Sequence, residues 1–438
     1  MAITSTFLSS EDKLEFWKYS VAEFSLIYST KTVSIETDRL TKFNINNDYE
    51  NNVFPVIRLT AVLTPSVYEE LTQNKNDVKI KLRIQKFYTL KGSTEESLRR
   101  DWINTTFSVL MDDNYVNPDN SINTEAKLNT NGEASASSTD LDDKNSNVID
   151  LYLYNENSVS SMKTMINTVI KGGSLIHAIS YIIAKSGLKN ILISPLENNT
   201  VYQELLIPPQ SALSALRWLD TEYGYYKAGS VIYFGIEKAY ILNYKGGCTA
   251  WTTNEVQETC FLIPERGGVH GATECSVEKV KQTTLRNYIA VWQDHTTVRN
   301  ESNSNDIVEG NNATIINTNT NSITTTQSGA YQKGSGSTNV IMTNSSNKWL
   351  GDTYGAQKSA NSTVISMSVG DFDIDAVTPN KKFTFLFEDS KYGDSYKGVY
   401  MLASASFQFI KNGQNLELNS TMVLKRTGTD VKVASETV

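Results

Sequence analysis

The chain has 438 residues, enough for two to four domains with cores of their own, so a single small domain is excluded. Hydrophobic residues make up 39% and charged residues 20%, with 22 Tyr, 15 Phe and 6 Trp, which suits packed β-structure and excludes a globally disordered chain. The 40 Lys+Arg against 48 Asp+Glu give a formal charge of −8, which disfavours non-specific adhesion to nucleic acid or anionic lipid.

The first twenty residues lack a basic start followed by a continuous apolar stretch, and no run of about 18 apolar residues occurs, so neither secretion nor a membrane span is expected. Three cysteines, Cys248, Cys260 and Cys275, are too few for a disulfide scaffold and fit synthesis in a reducing compartment. Residues 1–111 read as β-structure. Ile57, Leu59, Ala61 and Leu63 alternate with Arg58, Thr60 and Val62, and Val78, Ile80, Leu82 and Ile84 alternate with Lys79, Lys81, Arg83 and Gln85. Between them Thr64 and Pro65, followed by Glu69 and Glu70, predict a short helix. Residues 112–148 lose all periodicity and gain Asp, Asn and Ser, the composition of a polar loop or linker. Their acids do not follow the spacing of a regular calcium loop.

Residues 149–245 read as an α+β module. A strand over 149–154 precedes a helix capped by Ser174, with Leu175, Ile179 and Ile182 on one face and Gly187 as its left-handed stop. A second helix after Pro208-Pro209 carries Leu213, Leu216 and Leu219 and ends at Gly224, ahead of strands at 231–234 and 239–242. Residues 246–347 are expected to be irregular. Asn, Thr, Ser and Gly dominate from about 296, so this part should lack a packable face, as a long surface insertion or a segment that orders only against a partner. Strands return in 348–438, with Ile365, Met367 and Val369 on one face and Phe383, Phe385 and Phe387 on another. The clearest hairpin runs from Phe407 through Asn412-Gly413 to Leu418, and the last strand reaches Leu424.

Candidate chemistry is sparse. His177, His270 and His295 fall in no nucleophile or zinc-hydrolase motif, and packing or loop roles are expected for them. Cys248, Cys260, His270 and Cys275 have zinc-binding chemistry but lack the closely spaced Cys pairs of compact structural sites. The pairs Gly172-Gly173, Gly246-Gly247 and Gly267-Gly268 match no phosphate loop and read as turns. Asp220 and Glu222 could serve as acid and base only within a cleft, so solvated surface is the expectation. No catalytic, cofactor or metal site is expected, and the chain reads as a non-enzyme.

One stretch carries a resemblance. Pro208-Pro209, the packed Leu213, Leu216, Trp218 and Leu219, and the Tyr223-Gly224-Tyr225 turn into an aromatic strand resemble the baseplate hub proteins of contractile-tailed phages, whose architecture type VI secretion spike-hub proteins share. The resemblance implies a mainly β chain with two tail-tube-like β-barrel domains, one near each end, and an intervening α+β module. It further implies a homotrimeric ring that adapts a sixfold tail tube to a threefold spike or tail-tip protein, in contact with other baseplate components and with a channel able to pass DNA. The localisation implied is the virion tail, assembled in the host cytoplasm, with no cofactor. Two other readings stand beside it: a different tail ring or adaptor, and a carbohydrate-binding adhesin suggested by the aromatics and Asn-rich loops.

Overall fold

The computed structural model describes residues 15–90, 93–110, 147–244, 258–263, 286–291, 296–300, 312–319, 321–327, 339–350, 352–353, 356–357, 363–387, 396 and 398–428. The chain starts with β1 (Glu15–Ile27), the short β2 (Thr32–Ser34), β3 (Leu40–Asp48) and β4 (Val56–Leu63). Helix α1 (Pro65–Gln73) leads into β5 (Lys79–Leu90), β6 (Arg100–Leu110) and β7 (Asn147–Asn155). The alternation seen in the sequence is the alternation of burial: Ile57, Leu59, Ala61 and Leu63 face a core, as do Ile80, Leu82 and Ile84. Helix α1 begins at Pro65 as expected, although the Thr64 side chain makes no capping bond. The pairing of β5 with β6 steps from Ile84↔Ile103 to Gln85↔Asp101, so Trp102 is an extra residue in a β-bulge. The bulge turns Trp102 against Tyr19 at a centroid separation of 5.4 Å.

The α+β module comprises α2 (Glu156–Lys163), β8 (Met165–Ser174), α3 (Leu175–Ser186), β9 (Ile191–Ile193), β10 (Val201–Ser211), α4 (Ala212–Tyr223), β11 (Ser230–Phe234) and β12 (Ala239–Asn243). Strands β8 and β10 form an antiparallel ribbon, and β11, β12 and β9 form a separate three-stranded sheet. A second hydrophobic core joins Leu175, Ile179 and Ile182 of α3 with Leu213, Leu216 and Leu219 of α4. The unbroken apolar runs of β11 and β12 have a structural cause. Val231, Tyr233, Tyr240 and Leu242 pack into the main core, while Ile232, Phe234, Ala239 and Ile241 pack into the second, so both faces of this small sheet are buried.

The remaining strands are β13 (Glu258–Ile263), β14 (Arg286–Ala290), β15 (Thr296–Asn300), β16 (Asn312–Asn317), β17 (Ser322–Gln327), β18 (Asn339–Thr343), β19 (Thr363–Gly370), β20 (Lys382–Phe387), β21 (Val399–Asn412) and β22 (Asn415–Gly428). Strands β21 and β22 form a long hairpin whose two-residue turn places Gly413 at φ 57°, a conformation that costs glycine little. Its tip half pairs with β3 and β1, so that β21-β3-β4-β7-β6-β5-β1-β22 closes into an eight-stranded barrel. Its base half belongs to a second sheet in the order β14-β13-β20-β21 and β22-β19-β15, which is open among the described residues. The fold is therefore mainly β with an α+β insertion, as expected, and the hairpin is common to both sheets.

The segment boundaries differ from those read in the sequence. The first barrel is not complete within residues 1–111, because it takes β7 from the segment assigned to the α+β module and β21–β22 from the far end. Nor do the strands of the second sheet all lie in 348–438, because β13, β14 and β15 come from 246–347. Strand β13 runs Cys260-Phe261-Leu262-Ile263 with every side chain buried, between parallel neighbours β14 and β20, so it shows no alternation to read. Within the Asn- and Thr-rich stretch, β17-β16-β18 form a three-stranded sheet that buries Ile315, contrary to the expectation that this stretch lacks a packable face. The polar loop expected at 112–148 lies outside the described residues up to 146.

Candidate assembly site

The hub-like stretch builds one continuous packing unit. Pro208 and Pro209 lie inside β10, where the pairing with β8 steps from Ile207↔Thr168 to Gln210↔Ile166. Proline cannot donate to a ladder, so an irregularity at a free edge is where it fits. The helix starts later than the proline pair suggested: Ser211 is its cap and accepts from the Ser214 amide at 3.2 Å. Leu216 and Leu219 are fully buried and Leu213 nearly so, while Trp218 packs at the margin of the same core against Tyr223, edge to face at 5.8 Å. Gly224 ends the helix at φ 72°, and a Cβ there would lie 2.5 Å from the Asn347 amide oxygen. Tyr225 is buried, and its hydroxyl donates to the Leu216 carbonyl at 2.7 Å, tying the turn ahead of β11 back onto α4. Tyr226 donates likewise to Ser194 at 2.7 Å.

Asp220 and Glu222 do not form a catalytic pair. Asp220 accepts from the Tyr225 amide at 3.0 Å and from the Ser230 hydroxyl. Burial pushes its carboxyl up, and those two hydrogen bonds oppose the rise. Glu222 instead accepts from the Ser346 amide at 3.1 Å, while Asn347 donates to the Asp220 carbonyl at 3.4 Å. The segment after β18 is thus fastened to the end of α4. His177 sits at the third position of α3, where its ring nitrogen accepts from the Ser174 amide at 3.4 Å, a local cap. Cys260 is buried in β13. Its supposed zinc partners Cys248, His270 and Cys275 lie outside the described residues, as does His295, and among the described residues no cluster of three or more His, Cys, Asp or Glu could hold a metal. Gly172 and Gly173, expected to form a turn, instead lie within β8 and its pairing with β10, Gly172 at φ 59°, and the other two glycine pairs are not among the described residues. No helix of the described residues is long and apolar enough to cross a membrane.

A second feature joins parts of the chain far apart in sequence. Lys86 of β5 donates to Asp373 at 2.6 Å and also to Asp375, both in the turn after β19. Burial disfavours the Lys86 charge, but the two carboxylates outweigh it and its pKa is raised. Burial also pushes Asp373 up, even against Lys86. Beside this cluster, Tyr19 donates to the Phe372 carbonyl at 2.8 Å and accepts from the Ile374 amide at 2.9 Å. The cluster borders a 560 Å³ cleft that is also lined by Glu237 and Lys238 of the β11–β12 turn. It clamps β5 of the first barrel to the turn after β19 of the second sheet. Sequence reasoning missed it, since an isolated lysine and a DFDID run carry no spacing that predicts contact.

Two sheet faces turn large apolar side chains outward. On the β8–β10 ribbon Val169 and Leu206 are directly paired and exposed, with Met165 and Val201 exposed toward its ends. On the small sheet Ile316 lies between Ile323 and Met342 in one cross-strand row, with Val340 in the next, and the last three are 60–72% exposed.

The family model described as "Bacteriophage PBS1 gene 109 protein" matches residues 17–427. The chain belongs to this family. As a gene 109 family member it carries the match across the barrel, the α+β module and the second sheet alike. No curated protein matches the chain. Among solved structures it is similar to a tail protein from Neisseria meningitidis MC58, with 10% identity, TM-score 0.48, and coverage of 94% of this chain and 98% of that one. It is similar also to the 43 kDa tail protein of prophage MuSo2 from Shewanella oneidensis, with 10% identity, TM-score 0.47, and coverage of 93% and 99%. A third similar structure is E. coli c3393, described as a component of the type VI secretion system, with 7% identity, TM-score 0.39, and coverage of 93% and 76%.

Proposed function

We propose that this gene 109 family protein is a non-enzymatic structural hub of a phage baseplate or tail tip. Three copies form a closed ring that presents six barrel-like units to a tail tube and a threefold face to a central spike or tail-tip protein. The observation that carries this reading is the β21–β22 hairpin, which fuses one closed barrel and one open, barrel-like sheet side by side in a single chain. Two such units in one subunit can imitate two neighbours in a sixfold ring, and heterologous contacts between copies then close by rotation. The interlocked cores and the Lys86 clamp hold the units in fixed relation, as a symmetry adaptor requires. The outward apolar faces of the β8–β10 ribbon and of the β16–β18 sheet supply contact area for other baseplate components. In this reading the Pro208–Tyr225 unit is a folding element that sets the position of the α+β module, and the protein resides in the virion tail.

Cryo-electron microscopy of assembled particles tests the proposal by copy number. Three copies per ring, with the closed barrel and the second sheet alternating around the axis, is the expected result. Six copies per ring would replace the hub with an ordinary tail ring or adaptor.

A further inference from the structure

Strands β3, β21, β22 and β19 are neighbours in that order, and together they span the seam between the two sheets. Their inward residues, among them Phe43, Phe407, Leu418 and Val369, fill the main core. Their outward residues form a grid. Register places Asn46, Ser406, Thr421 and Ser368 in one row across the four strands, and Asn44, Gln408 and Asn419 in the next, with Gly370 in the fourth place. Glu417 and Asp371 stand at the end of the grid, and the whole encloses a depression of 450 Å³. Its volume lies within the range of small-molecule sites, roughly 300–1,000 Å³.

The composition of this surface selects its ligand. Each Asn or Gln offers one acceptor and two donors, each Ser or Thr offers both functions, and the carboxylates only accept. No Lys, Arg or His lines the depression, so a phosphate, sulfate or nucleic acid finds no counter-charge there. No aromatic side chain lines it either, so a flat aromatic ligand finds no ring to stack on. One polar atom is already desolvated without compensation: the Asn44 amide oxygen is buried and has no hydrogen-bond partner. A rotation of the Asn44 amide that turns this oxygen to the groove lets an incoming hydroxyl satisfy it. Neighbouring rows stand about 7 Å apart along each strand and columns about 4.8 Å apart between strands, a lattice on which vicinal hydroxyls can each meet a side chain. Asp371 holds a left-handed conformation at φ 55°, unusual for a residue other than glycine, and strained positions of this kind gather at functional sites.

We infer that this groove across β3, β21, β22 and β19 binds a neutral oligosaccharide. Hydroxyls of the sugar donate to Asn44 and to the carboxylates of Asp371 and Glu417, while Gln408 and Asn419 donate to ring and hydroxyl oxygens. A single copy of the chain suffices, so the inference stands whether or not the ring forms.

The test is isothermal titration of the full chain with maltotriose, cellotriose and chitotriose, and with a sulfated heparin disaccharide as the anionic comparison. At least one neutral trisaccharide should bind saturably with a dissociation constant below about 1 mM, an ordinary value for a shallow polar site. The double variant Gln408→Ala/Asn419→Ala should weaken it at least tenfold. Thr421→Arg, which fills the groove, should abolish binding, and both variants should keep the wild-type melting temperature. The inference is overturned if no neutral probe binds, if the heparin disaccharide binds more tightly than all of them, or if binding survives both variants. It is equally overturned if the variants alter the oligomeric state and leave sugar binding unchanged, which would make the face a contact between protein chains.

Discussion

Replacing Asp371 by Asn should make the protein more stable at pH 8 and leave it unchanged at pH 4. Asp371 follows β19 in a left-handed conformation, with its amide donating to Leu418 at 3.2 Å and its carbonyl accepting from Trp17 at 3.3 Å. Burial, and secondarily the nearby Glu417, raise its carboxyl from 3.8 to about 6. A folded-state value above the unfolded one means that the fold prefers the protonated acid. The stabilisation this brings is complete below pH 4 and is lost as pH rises through 6. A shift of this size corresponds to about 3 kcal/mol at about 1.4 kcal/mol per pH unit. Because the residue is partly exposed, solvent screening reduces the expected gain for Asp371→Asn at pH 8 to about 1–2 kcal/mol. Asparagine keeps the backbone hydrogen bonds and tolerates the left-handed region, so strain is not a confounder. Urea unfolding followed by tryptophan fluorescence at pH 4, 6 and 8 measures the difference. An equal difference at all three pH values, or a loss of stability at pH 8, would refute the reasoning.

Two further substitutions probe the cores. Leu216→Ala removes a fully buried side chain from the second core and should cost about 2–5 kcal/mol in thermal or urea unfolding; an unchanged transition would mean that α4 is not held by that core. Lys86→Met strips the buried Asp373 of its cation and should cost about 3–5 kcal/mol at pH 7, whereas Lys86→Met/Asp373→Asn, measured by the same unfolding assay, should recover most of that loss.

Much of the fold was legible wherever one face of an element is wet. The alternation in β4 and β5, the Thr64-Pro65 start of α1, the Gly187 and Gly224 stops and the turn at Gly413 all express local rules, and each lies where those rules place it. The doubly buried β11 and β12 were still legible as short apolar runs, and legibility failed where a run lies inside a stretch of irregular composition or where pairing is distant. Strand β13 sits between parallel neighbours with no polar alternation, and β15 reads TTVRN, which has no apolar period at all. Nothing local in β1 or β3 announces that their partners lie beyond residue 400. The helix α4 began later than the proline pair implied, because a strand edge accommodates proline as readily as a first helical turn does. Of the candidate residues, the packing set on α4 was visible as a periodic face. The salt-bridged clamp was not, since Lys86 and Asp373 meet only through tertiary structure.

The position of the β21–β22 hairpin has a consequence for synthesis. Strands β1 and β3 leave the ribosome with their outer edges unpaired, and they wait for more than 350 further residues before Leu416 and Phe409 can dock on them. Over that interval the N-terminal strands form at best an open, two-edged sheet, the species most apt to pair with a neighbouring nascent chain. Barrel closure is therefore a late and slow step dominated by contacts of very long sequence separation. A chain cut short before the hairpin would be expected to aggregate, so release of a soluble subunit serves as its own check that translation has run through both sheets.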